Sequence, residues 1–131
     1  MKGAIMAITD WKIELIILPV TDVDRTKAFY VDKVGFIADH DQTVTESLRF
    51  VQLTPPGSAC SIAFGIGLTD MEPGSQRGLQ IVIPNADEAY EHLIANGVEA
   101  TPVDEQAWGR FVTFTDPDGN AWALQELPAR N

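Results

Sequence analysis

Asp39-His40-Asp41 places an imidazole between two carboxylates. Imidazole is the side chain whose ordinary pKa suits proton transfer near neutrality, so His40 is a candidate general acid or base. The alternative is a solvated histidine at a strand end. Trp108, in Gln106-Ala107-Trp108-Gly109-Arg110, sits in a loop context where an indole is free to stack on a flat ligand, or else to cap a sheet edge. Arg49 and Gln52 stand on one strand in opposite phase, so without a bulge at most one of them faces a bound molecule. Cys60 has small, neutral neighbours and reads as a packing residue rather than a nucleophile.

The elements that must position these residues form a unit written twice. The first copy runs from a β-branched strand over 13–20 into Val20-Thr21-Asp22-Val23-Asp24-Arg25, a helix through Phe29-Tyr30, and a glycine stop at Gly35. The second runs from a strand over 79–83 into Pro84-Asn85-Ala86-Asp87-Glu88, a helix through Leu93-Ile94, and a stop at Gly97. In each, an acidic or amide cap opens the helix and glycine closes it. Further strands are expected at 36–41, 48–54 and 59–64, then at 98–103, 111–115 and 121–127, with Pro55-Pro56-Gly57 and Asp116-Pro117-Asp118-Gly119 as turns. Pro19 cannot donate to a ladder and marks an edge, a bulge or a hinge. The order is βαβββ twice, an α+β domain over 1–131 with module one at about 11–65, a turn-rich linker at about 66–77 and module two at about 78–127.

At 131 residues the chain can bury a core without staples. Its formal charge of −10 argues against nucleic acid, which needs rows of cations, and against anionic membranes. The same charge suits attraction of a cationic ligand, or is simply a solvated surface. A lone cysteine leaves no disulfide framework and points to a reducing, cytoplasmic location. The opening Met1–Ile8 stretch is too short for a signal core, and no run approaches membrane-spanning length.

With that order in place, Val20-x-Asp22-Val23-Asp24-Arg25-x-x-x-Phe29-Tyr30, Gly35-Phe36 and Asp116-Pro117-Asp118-Gly119-Asn120 resemble the glyoxalase / bleomycin-resistance / extradiol-dioxygenase (vicinal oxygen chelate) superfamily. Gln106-x-Trp108-Gly109-Arg110 resembles its bleomycin-resistance branch. The resemblance implies two βαβββ modules pairing into a curved eight-stranded mixed sheet with helices outside, and a homodimer. It also implies a divalent cation held by His, Glu or Gln from four strands. Counting from the flanking phrases puts those positions at Leu15, Ala63, Gly78 or Leu79, and Ala123, none of which is a metal ligand. No metal is therefore expected in the usual place. A slip of one residue would bring Glu14, Gln80 and Glu126 near it, with His40, as the makings of a displaced divalent-metal site.

By alternation with those positions, Ile13, Ile17, Ser61, Gly65, Gln80, Val82, Ala121 and Gln125 share the cleft face. Small residues at 61, 63, 121 and 123 either leave room for a flat or bulky ligand or allow close sheet packing. Trp122, in opposite phase, is expected under a helix. Two functions compete, beside a third reading as a structural or regulatory dimer module whose cleft is vestigial. One is metal-free binding of a small organic molecule, aromatic or cationic, in the manner of drug sequestration, with Trp108, Gln80, Gln52, Arg49, Ser61 and Gln125 as ligand contacts. The other is a lyase, isomerase, hydrolase or dioxygenase-type enzyme using His40 or Glu126 as an acid–base group, or a relocated metal. The discriminating feature is whether any two of Glu14, His40, Gln80 and Glu126 meet in the cleft.

Overall fold

The computed structural model describes residues 8–129. Module one contains β1 (Leu15–Ile17), α1 (Val23–Ala28) with a π-helical continuation (Phe29–Val34), β2 (Ile37–Thr45), β3 (Leu48–Thr54) and β4 (Ser61–Ile66). Module two contains β5 (Leu79–Ile83), α2 (Ala86–Ala95), β6 (Asp104–Gln106), β7 (Gly109–Thr115) and β8 (Ala121–Glu126). The α+β order of two βαβββ units is present, and the eight strands are hydrogen-bonded as two four-stranded sheets ordered β1-β4-β3-β2 and β5-β8-β7-β6. In each sheet the first pair is parallel and the other two are antiparallel.

Local chemistry explains the boundaries. The Asp22 carboxylate accepts the Arg25 N–H at 3.0 Å and the Asn85 side-chain oxygen accepts the Glu88 N–H at 2.9 Å, so each helix starts on a capping residue. Gly35, at φ 106°, closes the first helix by donating its N–H to the Tyr30 carbonyl. The strand expected at 98–103 is reduced to one bridge, Ala100 to Phe114, and the regular ladder begins only at Asp104. Pro102 lies between them and has no N–H to give. The first strand is likewise shorter than 13–20, ending before Pro19.

Strand alternation sorts the sheet residues into two faces. Val51, Leu53, Ile62 and Phe64 from module one join Leu79, Val112, Phe114, Trp122 and Leu124 from module two in a core packed under the helices. Trp122 is there, as its phase requires. The residues between them form the face turned away from the helices.

A buried polar network runs through this core. The Tyr30 hydroxyl donates to Asp116 Oδ2 at 2.8 Å and accepts from Trp122 Nε1 at 2.8 Å. Asn120 Nδ2 also donates to Asp116 Oδ2, at 2.8 Å. Asp116 Oδ1 takes the N–H groups of Asp118, Gly119 and Asn120 at 3.0, 3.0 and 2.9 Å. Asn120 Nδ2 further reaches the Pro19 carbonyl, and Asp118 accepts the Thr21 hydroxyl at 2.7 Å. The linker joins the same knot: Gly74 donates to the Pro19 carbonyl, and Gln76 Nε2 to that of Ile17. A Cβ on Gly74, which has φ 78°, would lie 2.0 Å from the Asp118 carbonyl, so only glycine fits there.

Burial beside Asp116 drives the Tyr30 phenol far above its ordinary value of 10.0. Its contribution to stability is therefore complete below about pH 10 and is lost as the pH rises above that, because the unfolded chain then ionises while the folded one does not. Tyr30→Phe should cost about 1–3 kcal/mol in urea unfolding at pH 7, since it takes one donor from the buried Asp116 carboxylate and leaves the Trp122 indole N–H without its acceptor. It should also flatten the loss of stability above pH 10. A variant as stable as the parent, with an unchanged alkaline limb, would contradict this role.

Candidate functional site

On the helix-free face of module two lies a cleft of about 520 Å³. Its floor is built from Gly78, Ala121 and Ala123, whose side chains end at Cβ or earlier, so a flat molecule can approach the sheet closely. One wall carries Thr101, Thr113 and Thr115, with Glu99 beside them. Register explains the grouping: Thr113 is opposite Ala123, which is opposite Gln80, and Thr115 is opposite Ala121. Ala100, bridged to Phe114, packs against the core, so its neighbours Glu99 and Thr101 fall on the cleft side.

Gln80 and Gln125, on the same sheet face but outside the residues lining this cleft, meet each other. Gln80 Nε2 donates to Gln125 Oε1 at 2.6 Å, and Gln125 Nε2 donates to the Trp108 carbonyl at 2.9 Å. Trp108 occupies the two-residue turn between β6 and β7 with its side chain outward, the residue being 63% exposed. It belongs to the rim through its backbone and is not among the residues lining the 520 Å³ cleft.

Module one brings a second group to its helix-free face. Gln52 is paired across the ladder with Ala63 on one side and His40 on the other. Ser61 is buried, its hydroxyl 2.6 Å from that of Thr54, which donates in turn to Asp39. Asp39 reaches Thr54 because the register slips between Ala38 and His40, leaving it as an extra, bulged residue. Ser61 therefore has a structural partner and also lines a smaller cavity of about 160 Å³ at the seam between modules, together with Gln80, Leu79 and Trp122.

Two expected contacts are engaged elsewhere. Arg49 forms a two-pronged bond to Asp41 at 3.0 and 2.9 Å and pairs with Asp24 of α1 at 3.0 Å, fastening the β2–β3 hairpin to the helix. Those Arg49 bonds, with help from Lys27, hold the Asp41 carboxyl down to about 2. Glu126 points away from Gln125 and accepts the Ala86 N–H at 2.8 Å at the start of α2, while Arg110 approaches it at 3.4 Å. Arg110 itself is held by Glu105 at 2.6 Å and Asp87 at 3.0 Å. In this structure Arg49, expected as a ligand contact, clamps the β2–β3 hairpin, and Glu126, expected as an acid–base group, caps α2.

Among the described residues no hydrogen bond joins any two of the side chains of Glu14, His40, Gln80 and Glu126. Cys60 is half-buried, and that burial together with the Glu14 charge pushes its thiol up rather than activating it. Leu79 pairs with Trp122 in the core, and both positions weighed at the start of β5, Gly78 and Leu79, line the cleft. Leu15, Ala63, Gly78 and Ala123 offer hydrocarbon or hydrogen where a cation needs imidazole, carboxylate or amide donors. The residues present do not fit a metal at the family's usual positions. Among the described residues, His, Cys, Asp and Glu form no group of three able to hold one.

Residues 12–124 match the profile of the Glyoxalase/Bleomycin resistance protein/Dioxygenase superfamily. The chain belongs to that superfamily. It is similar to the crystal structure of TnmS3, an antibiotic binding protein from Streptomyces sp. CB03234, with 34% identity, a TM-score of 0.83, and 94% of this chain and 99% of that one covered. A superfamily member from Sphaerobacter thermophilus DSM 20745 shares 30% identity and a TM-score of 0.79 over 88% of this chain and 97% of its own. The uncharacterized protein YetH of Bacillus subtilis (strain 168) is 30% identical over 111 residues, covering 82% of this chain and 91% of YetH.

Sequence reasoning missed Thr101, Thr113, Thr115 and Glu99. The signal was present in the alternation Thr113-Phe114-Thr115, which sends two hydroxyls to the face opposite a core phenylalanine. Because Glu126 caps α2, Glu126→Ala should lower stability in urea by about 1 kcal/mol. It should leave affinity for any cleft ligand within twofold, measured by fluorescence titration. Loss of binding without loss of stability would return Glu126 to the site.

Proposed function

We propose that the chain is a small-molecule-binding protein that takes up an organic compound, aromatic or cationic, in the cleft of its second sheet, in the manner of drug sequestration and without a cation at the family's usual positions. The observation that carries this reading is the cleft of about 520 Å³ floored by Gly78, Ala121 and Ala123, where hydrocarbon stands in place of metal ligands. Similarity at 34% identity to a protein described as antibiotic binding supports it. A volume of this size lies within the range of pockets that enclose drug-sized molecules. The acidic balance of −10 favours a cationic compound over an anionic one.

The reading extends to a homodimer working in the cytoplasm. Trp11 at 77%, Val82 at 61% and Trp108 at 63% exposure leave large apolar groups bare in one chain, which supports a second copy covering them. No helix among the described residues is long and apolar enough to cross a membrane. The lone Cys60 suits a reducing compartment. An enzyme of the lyase or isomerase kind has less support, because Glu126 is tied to α2 and does not meet His40.

Thermal unfolding against a panel of aromatic cations tests the proposal. A saturating binder should raise Tm by about 5 °C or more, with or without a chelator. Ala123→Trp, which fills the floor of the cleft, should abolish that rise while leaving the ligand-free Tm close to the parent's. Stabilisation that requires an added divalent ion and vanishes with chelator would contradict the proposal.

A further inference from the structure

We infer that the threonine wall and Glu99 select the ligand at two points: one hydroxyl hydrogen supplied by the Thr101–Thr113 pair demands an acceptor such as a ring carbonyl, and the Glu99 carboxylate demands a protonated amine. This inference rests on the cleft reading above and specifies which compounds that cleft prefers.

The first point follows from counting hydrogens. Thr101 Oγ1 accepts the Thr113 N–H at 3.0 Å and lies 2.9 Å from Thr113 Oγ1. The two hydroxyls carry two hydrogens, and one is spent between them whichever of them donates. The other has no protein partner among the described residues, and both threonines line the cleft. The donor is exposed in an open cleft, so it discriminates where a bound ligand covers it: a ligand lacking an acceptor then leaves it unpaired. Thr115, whose hydroxyl has no protein partner among the described residues, can donate or accept and adds no preference of its own.

The second point is a charge without a counter-charge. Arg25, Lys27, Arg49 and Arg110 are each in a salt bridge, whereas Glu99 has no such partner among the described residues and borders the same cleft. Glu99 and Thr101 are two residues apart on an extended segment, which separates the two points by about 7 Å. Across β7 from them lie Ala121 and Ala123, a floor flat enough for a ring system to rest on while reaching both points. The favoured ligand is therefore a planar polycycle with a carbonyl or ether oxygen on one side and an ammonium several ångströms away.

Three fluorescent probes separate the terms: 9-aminoacridine has the cation without a carbonyl, acridone the carbonyl without the cation, and 10-(3-dimethylaminopropyl)acridone has both. The last should bind most tightly. Thr101→Val and Thr113→Val should each weaken acridone binding less than threefold, because either substitution frees the hydrogen of the remaining threonine. The double variant should weaken both acridones about tenfold and spare 9-aminoacridine. Glu99→Gln should weaken both cationic probes about threefold, reduce the salt dependence of their binding and spare acridone. Equal loss of all three probes in the double variant, or undiminished cation binding in Glu99→Gln, would overturn the two-point selection while leaving the cleft as the site. Failure of every probe to bind, or undiminished binding to Ala123→Trp, would instead overturn the cleft reading itself.

Discussion

A single buried carboxylate ties the two halves of this chain together. Asp116 receives the Tyr30 hydroxyl from the first module, the Asn120 amide from its own turn, and three backbone N–H groups. A carboxylate out of water is tolerated only when its lone pairs are satisfied, and here they are. The Trp122 indole then completes the Tyr30 oxygen, and stacks in turn on Phe114 with ring centres 6.2 Å apart. The helix of one module is thereby fixed against the sheet of the other. Thr21, Pro19 and Gly74 tighten the same joint from the linker and the end of β1.

That joint decides what is left over for function. With the rings of Tyr30, Phe36 and Phe64 packed in the core on the helix side, the opposite face of module two is floored by glycine and alanine and edged with threonine. The long polar side chains nearby are mostly spent on structure: Arg49 on the β2–β3 hairpin, Arg110 and Glu126 on the start of α2, and Ser61 on Thr54. The polar groups that remain free around the cleft are hydroxylic and acidic, beside the edges of Leu79, Phe114 and Trp122. Such a surface suits the binding proposed here, a flat molecule held by contact and a few directed hydrogen bonds.

The fold was legible in the sequence because its punctuation is chemical. Asp22 and Asn85 cap helices, Gly35 stops one, and Asp116-Pro117-Asp118-Gly119-Asn120 forms the turn that its residues demand. Alternation placed Trp122 in the core and Ala121 and Ala123 on the opposite face. The sixth strand was misplaced because β-branched residues at 98–103 outweighed Pro102, which breaks the ladder. The site was less legible. Residue type suggested Arg49 as a ligand contact and Glu126 as an acid–base group, whereas the bonds they make here, to Asp41, Asp24 and the Ala86 N–H, depend on partners brought close only by tertiary packing. Conversely Glu99 and Thr101 lie in a segment whose facing is fixed by one bridge, Ala100 to Phe114, which no short-range pattern reveals.

The central claim is that ligand contacts fall on the helix-free face of the second sheet. Titrating the ¹⁵N-labelled protein with 10-(3-dimethylaminopropyl)acridone and following backbone amides tests it most directly. The account predicts saturable shifts at Thr101, Thr113, Thr115, Ala121 and Ala123, with the amides of Thr26 and Leu93 unmoved. Shifts gathered instead around Val34, Phe36 and His92, which line a groove on the helix side, would contradict it.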